Sequence, residues 1–152
     1  MDLKAEARRR WNDGDFIEQG VPLPCASYRG LKWVPYEDYM KAQLISCTAG
    51  ELGKLLVNFP ADAVEDNQLH VHPISDRMIT VIRGSGEFIA VRRRELARFQ
   101  LRPGTKVWMP RGVLHTFLAG KDGLLVESLH NPFVAFEDPR CLVYPSSGDW
   151  RF

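Results

Sequence analysis

The sequence predicts an all-β fold, one barrel of short antiparallel strands, and three observations lead to it. From residue 41 onward, short segments rich in branched and aromatic residues alternate with turns that contain Gly or Pro. No segment repeats another, so the pattern predicts one barrel and not two. At 152 residues the chain has the size of a single domain, and such a chain buries roughly 68–70% of its unfolded surface.

Residues 1–40 are predicted to form an N-terminal arm of the same domain. Residues 2–11 contain Ala, Glu, Lys, Leu and Arg, which favour a short helix. Residues 12–40 are rich in Gly, Pro, Asp and aromatic residues, so we expect an irregular segment with room for one short strand. Such an arm packs on a neighbouring subunit or on a barrel mouth, and the sequence leaves both open.

The barrel itself is predicted over residues 41–131, and residues 132–152 are predicted to be an irregular C-terminal extension. Turn signals at Arg83–Gly86 and at Ala119–Gly123 divide the barrel segment further. Nine strands are expected in this segment, at residues 41–48, 53–59, 68–72, 77–83, 86–92, 96–101, 106–109, 114–118 and 123–130.

Charge and cysteine content narrow the function classes. With 20 basic and 19 acidic residues the net charge is +1, which argues against nucleic acid or an anionic membrane as partner. The three cysteines are odd in number and form no CxxC, so we expect a reduced, cytoplasmic protein. The N-terminal residues show no apolar signal segment, and no apolar run is long enough to span a membrane.

Three of the four histidines lie in two short segments, His70-Val71-His72 and the stretch that ends at His115. Alternate side chains of a strand share a face, so His70 and His72 point to the same side. His115, arriving from a later strand, would complete a set of neutral nitrogen donors. The spacing therefore predicts a divalent transition-metal site inside the barrel, for Fe, Mn, Ni or Zn.

These segments resemble the two motifs of the cupin superfamily. The matching histidines, glycines and proline are His70, His72, Gly84, Gly104, Pro110, Gly112 and His115. The resemblance covers residues 41–131 and implies a single-domain cupin jelly-roll β-barrel with a metal on its three histidines. It also implies a homodimer, which the exposed barrel edges and the long arm favour. Two motif positions differ, because Val64 stands in place of Gly and Ala119 in place of Asn.

A third departure lies at the family's ligand glutamate. Six residues separate Arg77 from Gly84, so Arg77 occupies the position of that glutamate, and the nearest carboxylate is Asp76. If residues 77–83 form a regular strand, Asp76 faces away from Arg77 and could reach an ion only through a bulge. We therefore expect a three-histidine shell, with Asp76 as a candidate fourth ligand.

The positive charge of an arginine beside a metal ion held by three histidines must be offset. Three neutral imidazoles leave the ion its +2 charge, and a guanidinium about 5 Å away would repel it by about 6–7 kcal/mol at an effective dielectric near 20. Three arrangements are open. Arg77 points away and pairs with a carboxylate, an anionic substrate bridges metal and guanidinium, or Arg77 binds an anion in a barrel without metal.

Further candidates have a supporting role. Glu127 shares a strand face with Leu125 and Leu129 and could point into the barrel, where it would hydrogen-bond to a metal ligand from behind. Trp108 is expected in the core or on the pocket wall. His130 ends the last predicted strand and is expected at or near the surface. No catalytic residue is assigned.

Three function hypotheses from different classes follow. The first is a metal-dependent enzyme acting on a small anionic or chelating substrate. It is dioxygenase-like, because the chain resembles the cupin thiol dioxygenases in lacking the ligand Glu and in its three histidines. The second is a non-catalytic module that binds a small ligand, with or without metal. The third is a sugar or sugar-phosphate isomerase or epimerase, and metal analysis separates the first from the second.

Overall fold

A computed structural model describes residues 2–26, 43–48, 52–61 and 71–133 of the chain. Several predictions fall outside these ranges: residues 27–40 of the arm, the first two residues of the strand at 41–48, most of the strand at 68–72 including His70, and the tail beyond residue 133. Within them the chain forms one helix and eight strands: α1 Leu3–Asp13, β1 Ile17–Glu18, β2 Val21–Ala26, β3 Gln43–Thr48, β4 Gly53–Phe59, β5 Asp76–Arg92, β6 Glu95–Leu101, β7 Lys106–Met109 and β8 His115–Asn131.

The strands form one curled antiparallel sheet, which confirms the predicted all-β barrel class. Its order is β1-β7-β5-β8-β4-β3, and β6 joins β5 to β2. The two longest strands, β5 and β8, have 17 residues each and pair with each other along most of their length. They form the centre of the sheet, and the other strands extend it on both sides.

Two predicted turns lie inside these long strands. The segments predicted as strands at 77–83 and 86–92 are continuous in β5, and those at 114–118 and 123–130 are continuous in β8. The pairing register shifts between Val81 and Arg83 and again between Gly84 and Gly86. The glycines therefore bend a continuous strand through bulges where the sequence predicts turns.

Gly84 shows why these bulges need glycine, and Gly112 offers a matched control. Both have positive φ, +89° and +86°, but a Cβ at Gly84 would overlap the carbonyl oxygen of Gly123, whereas a Cβ at Gly112 meets nothing within 4 Å. We expect Gly112→Ala to cost about 1–2 kcal/mol of unfolding free energy from the backbone conformation alone. Gly84→Ala adds overpacking and should cost about 2–5 kcal/mol in total. Urea denaturation of both variants checks this, and equal losses would contradict it.

The N-terminal segment belongs to the chain's own sheet. The Asp2 carboxylate accepts from the Ala5 N–H at the start of α1, and β1 and β2 pair with β7 and β6. The described half of the arm thus holds two strands where one at most was foreseen. Pro22 and Pro24 in β2 argue against a strand in sequence, but β2 pairs only with β6 among the described strands, and an edge strand tolerates proline.

The core fills the inside of the curled sheet beneath α1. The Phe16 ring centre lies 4.5 Å from that of Trp11, with the rings inclined by 47°, and 5.5 Å from that of Phe99, which it meets edge-on. Phe88 and Leu3 are completely buried beside this cluster. In the parts of the chain that the structure describes, no helix has the length and apolar character needed to cross a membrane.

Candidate metal-binding pocket

A cavity of about 40 Å³ lies on the inner face of the sheet between β4, β5 and β8. This volume accommodates a few water-sized groups. Four polar side chains line it, His72, Arg77, His115 and Ser128. Its apolar wall consists of Leu55, Val57, Phe59, Ile79, Phe117 and Val126.

Strand alternation brings these side chains together. In β5, Arg77 and Ile79 are two residues apart, and β8 presents Val126 and Ser128 in the same way. His115 is the first residue of β8. His72 lies before β5, and its carbonyl accepts the Gly112 N–H at 2.9 Å. The order of polar and apolar residues on one sheet face therefore builds the pocket.

The separation of His72 and His115 fits a shared ion. Their ring centres are 5.0 Å apart and the rings are inclined by 42°. Ion–nitrogen bonds of about 2.1 Å at angles of about 90–110° place two ring centres about 4.5–5.2 Å apart. In the described part of the chain no three His, Cys, Asp or Glu side chains group closely enough to hold an ion. The third expected ligand, His70, lies outside that part.

The His115 ring is fixed in one tautomer. Nδ1 lies 2.8 Å from the carbonyl oxygen of Val113, and because a carbonyl only accepts, Nδ1 carries the proton. Nε2 is then unprotonated, which is the form that binds metal. The pKa of His115 is lowered to about 4, mainly by burial and in smaller part by the charge of Arg77, while the hydrogen bond to Val113 acts in the opposite direction. The ring is therefore neutral at pH 7.

Arg77 lies on the cavity wall and is 7% exposed. Its Nε donates to the hydroxyl of buried Ser75 at 3.0 Å. In the first of the three predicted arrangements Arg77 turns away toward a carboxylate such as Asp76, Glu87 or Glu127. In the structure these three carboxylates form ion pairs with Arg111, Arg98 and Lys54, respectively.

Asp76, the candidate fourth ligand, is completely buried but does not line the cavity. Its Oδ1 accepts the backbone N–H of Arg111 at 3.0 Å, and its Oδ2 accepts from the Arg111 guanidinium at 2.8 Å. Because it precedes Arg77 directly in β5, its side chain leaves the strand on the other side. The structure therefore joins Asp76 to a loop and does not bring it to the histidines.

Glu127 and Trp108 also lie away from the cavity. Glu127 is half-buried on the outer face of β8, and its carboxylate is 3.8 Å from Lys54 Nζ. Trp108 is 5% exposed in the core, with the Arg10 guanidinium 4.6 Å from its ring centre. Its Nε1–H has no acceptor among the described residues.

Ser128 and His130 are the site residues that the sequence analysis missed. Ser128 lines the cavity, and its hydroxyl lies 2.7 Å from Nε2 of His130. His130 is completely buried, although it was expected near the surface. The inward face of β8 contains Val126, Ser128 and His130, so choosing the other alternation for this strand would have found both.

The sequence was compared with protein families and with known proteins. The family profile described as Cupin matches residues 58–131. No curated protein matches the chain significantly.

Solved structures with related folds include two oxalate decarboxylases. That of Bacillus subtilis, an enzyme with Mn(II) centres, is 20% identical with a TM-score of 0.45 over 52% of this chain and 21% of its own. The formate complex of the Lactobacillus farciminis enzyme is 13% identical with a TM-score of 0.51 over 60% of this chain and 29% of its own. The chain thus spans less than a third of either protein, and the likeness to the Lactobacillus farciminis enzyme concerns the fold alone.

Proposed function

This chain belongs to the cupin superfamily, whose profile matches residues 58–131, and from that premise we propose that it binds a divalent transition-metal ion. His72 and His115 would hold the ion together with His70. One observation carries the proposal, the 5.0 Å separation of the His72 and His115 ring centres on the wall of a cavity. Neutral imidazoles suit Fe, Mn, Ni or Zn.

We further propose that the substrate is a small anion. Three neutral histidines would leave the ion at +2, and the guanidinium of Arg77 adds +1 to the same cavity. Among the described residues the cavity wall contains no carboxylate. A carboxylate substrate that contacts both ion and guanidinium would offset this charge, and Arg binds carboxylates in a fork geometry.

The remaining wall residues indicate which other groups the substrate would carry. Ser128 can hydrogen-bond to an oxygen of the anion, and His130 holds the Ser128 hydroxyl in place from behind. The six apolar side chains of the wall exclude water and would contact a short apolar part of the substrate. A bound metal would polarise a chelating substrate or activate O₂, and we favour the dioxygenase-like reaction.

Oxygen uptake tests this proposal. The protein is loaded with Fe²⁺ without oxygen and then exposed to O₂ with small thiol-carboxylates, diketones or oxalate. We expect uptake above the substrate-free rate with at least one anionic substrate, and a large loss of that activity in Arg77→Gln. Uptake that depends on metal but not on Arg77 would contradict the anionic substrate.

A non-catalytic ligand-binding module is the second candidate, and the small size of the cavity favours it. Such a module would bind formate or acetate, with or without metal, and would show neither oxygen uptake nor turnover. The cavity is small for a sugar phosphate, so the described residues give no support to an isomerase or epimerase. The homodimer and the cytoplasmic location stay predictions.

A further inference from the structure

The loop of residues 110–114 between β7 and β8 joins the two histidine-bearing segments. The Gly112 N–H donates to the carbonyl of His72 at 2.9 Å. The Val113 carbonyl accepts from the His115 ring at 2.8 Å, and the Leu114 carbonyl accepts the Val91 N–H at 2.9 Å. A displacement of this loop would therefore move both imidazoles at once.

Asp76 anchors this loop to the sheet. Besides the backbone N–H of Arg111, its carboxylate accepts from the Arg111 guanidinium at 2.8 Å and 3.3 Å. Asp76 is completely buried, whereas the Arg111 side chain is 35% exposed. Two guanidinium N–H groups fork onto Oδ2 while Oδ1 takes the backbone N–H, so these charge-assisted contacts fix direction as well as distance. Asp76 also pairs in register with Asn131 at the end of β8, so the anchor itself is held by two strands.

We propose that the Asp76–Arg111 ion pair positions His72 and His115 at the separation that one metal ion requires. Asp76 and Arg111 are positioning residues and touch neither ion nor substrate. The inference rests on the proposed function, because it assigns the pair a part in metal binding. It also explains why a carboxylate lies beside the site without joining it.

Asp76→Asn is the sharpest test, because it removes the charge and keeps the shape and one oxygen. Co²⁺ is the probe, since its visible spectrum reports ligand number and geometry. We expect the variant to bind Co²⁺ about 10–100-fold more weakly than the wild type, the range found when outer partners of metal-bound histidines are lost. Its Co²⁺ spectrum should also change.

A second readout needs no metal. Nitrogen NMR of the apo protein reports the tautomer of each histidine ring. In the wild type His115 should be protonated at Nδ1, because that atom donates to the Val113 carbonyl. In Asp76→Asn the loosened loop should give a mixture of both tautomers. A merely structural ion pair would lower thermal stability and leave this tautomer unchanged.

Glu87→Gln is the matched control. It breaks the ion pair of Glu87 with Arg98, which spans 2.8 Å between β5 and β6 and is not part of the cavity wall. It should leave Co²⁺ affinity and the His115 tautomer unchanged. Where Asp76→Asn fails to fold, Arg111→Lys keeps the charge, loses the fork, and should show the same changes to a smaller degree.

The outcomes separate this inference from the proposed function. A wild type that binds no Co²⁺ overturns the proposed function and with it the part of the pair in metal binding. A wild type that binds Co²⁺, with affinity and tautomer unchanged in Asp76→Asn and in Arg111→Lys, overturns the positioning role alone.

Discussion

Replacing His72 with alanine is expected to weaken divalent-metal binding by more than about 100-fold, since losing even an outer partner of a metal-bound histidine costs 10–100-fold. His72 lies outside the regular strands and is 9% exposed. Because its side chain is nearly buried, its loss should cost about 1–3 kcal/mol of unfolding free energy. Titration with Mn²⁺ or Co²⁺ measures the affinity, and urea denaturation measures the stability.

His130→Gln is the control, because it changes the fourth histidine of the chain, which does not line the cavity and lies behind Ser128 of its wall. It should leave metal affinity largely unchanged even where burial of His130 makes the variant less stable. Equal metal affinity in the wild type and in His72→Ala would show that the imidazoles are not the ligands.

Replacing Arg77 with glutamate is expected to tighten metal binding and to abolish the binding of small carboxylates. A guanidinium about 5 Å from a +2 ion would repel it by about 6–7 kcal/mol at an effective dielectric near 20. Relief of even a quarter of this corresponds to at least about tenfold in affinity. The anion loses its partner in the same variant, so the two affinities should move in opposite directions.

Calorimetric titration of Arg77→Glu with Mn²⁺, and then with acetate on the Mn²⁺-loaded protein, measures both effects. Arg77→Gln should lose the acetate affinity and show a smaller gain for the metal. Arg98→Gln serves as control, since Arg98 pairs with Glu87 outside the cavity wall. Parallel weakening of metal and anion binding in Arg77→Glu would contradict the proposed arrangement of charges.

Strand positions followed well from the sequence where turns are tight and apolar residues alternate. The strands at 53–59 and 106–109 appear with the predicted bounds. At the centre of the sheet the turns predicted around Gly84 and Gly123 were wrong, because glycine can mark a bulge as well as a turn. Only the close approach of the two strands, which is a tertiary property, decides between them.

Within the candidate site, the identity of the residues was more predictable than the direction of their side chains. On β8 the sequence allows two choices of inward face, one with Leu125 and Leu129 and one with Leu124 and Val126. The structure uses the second, so Ser128 lines the cavity and Glu127 does not. A strand with apolar residues on both faces gives no local signal for this choice. The partner of Asp76 likewise lies 35 residues away, at Arg111, beyond the reach of local patterns.

Metal analysis of protein purified without chelators tests the central claim most directly. We expect about one Fe, Mn, Ni or Zn ion per chain, consistent with a single set of imidazole donors, and pulsed EPR of the Mn²⁺-loaded form should show couplings to imidazole nitrogens. A metal content near zero, with no gain in thermal stability when divalent ions are added, would contradict the claim. The cavity would then be a binding site for an anion alone.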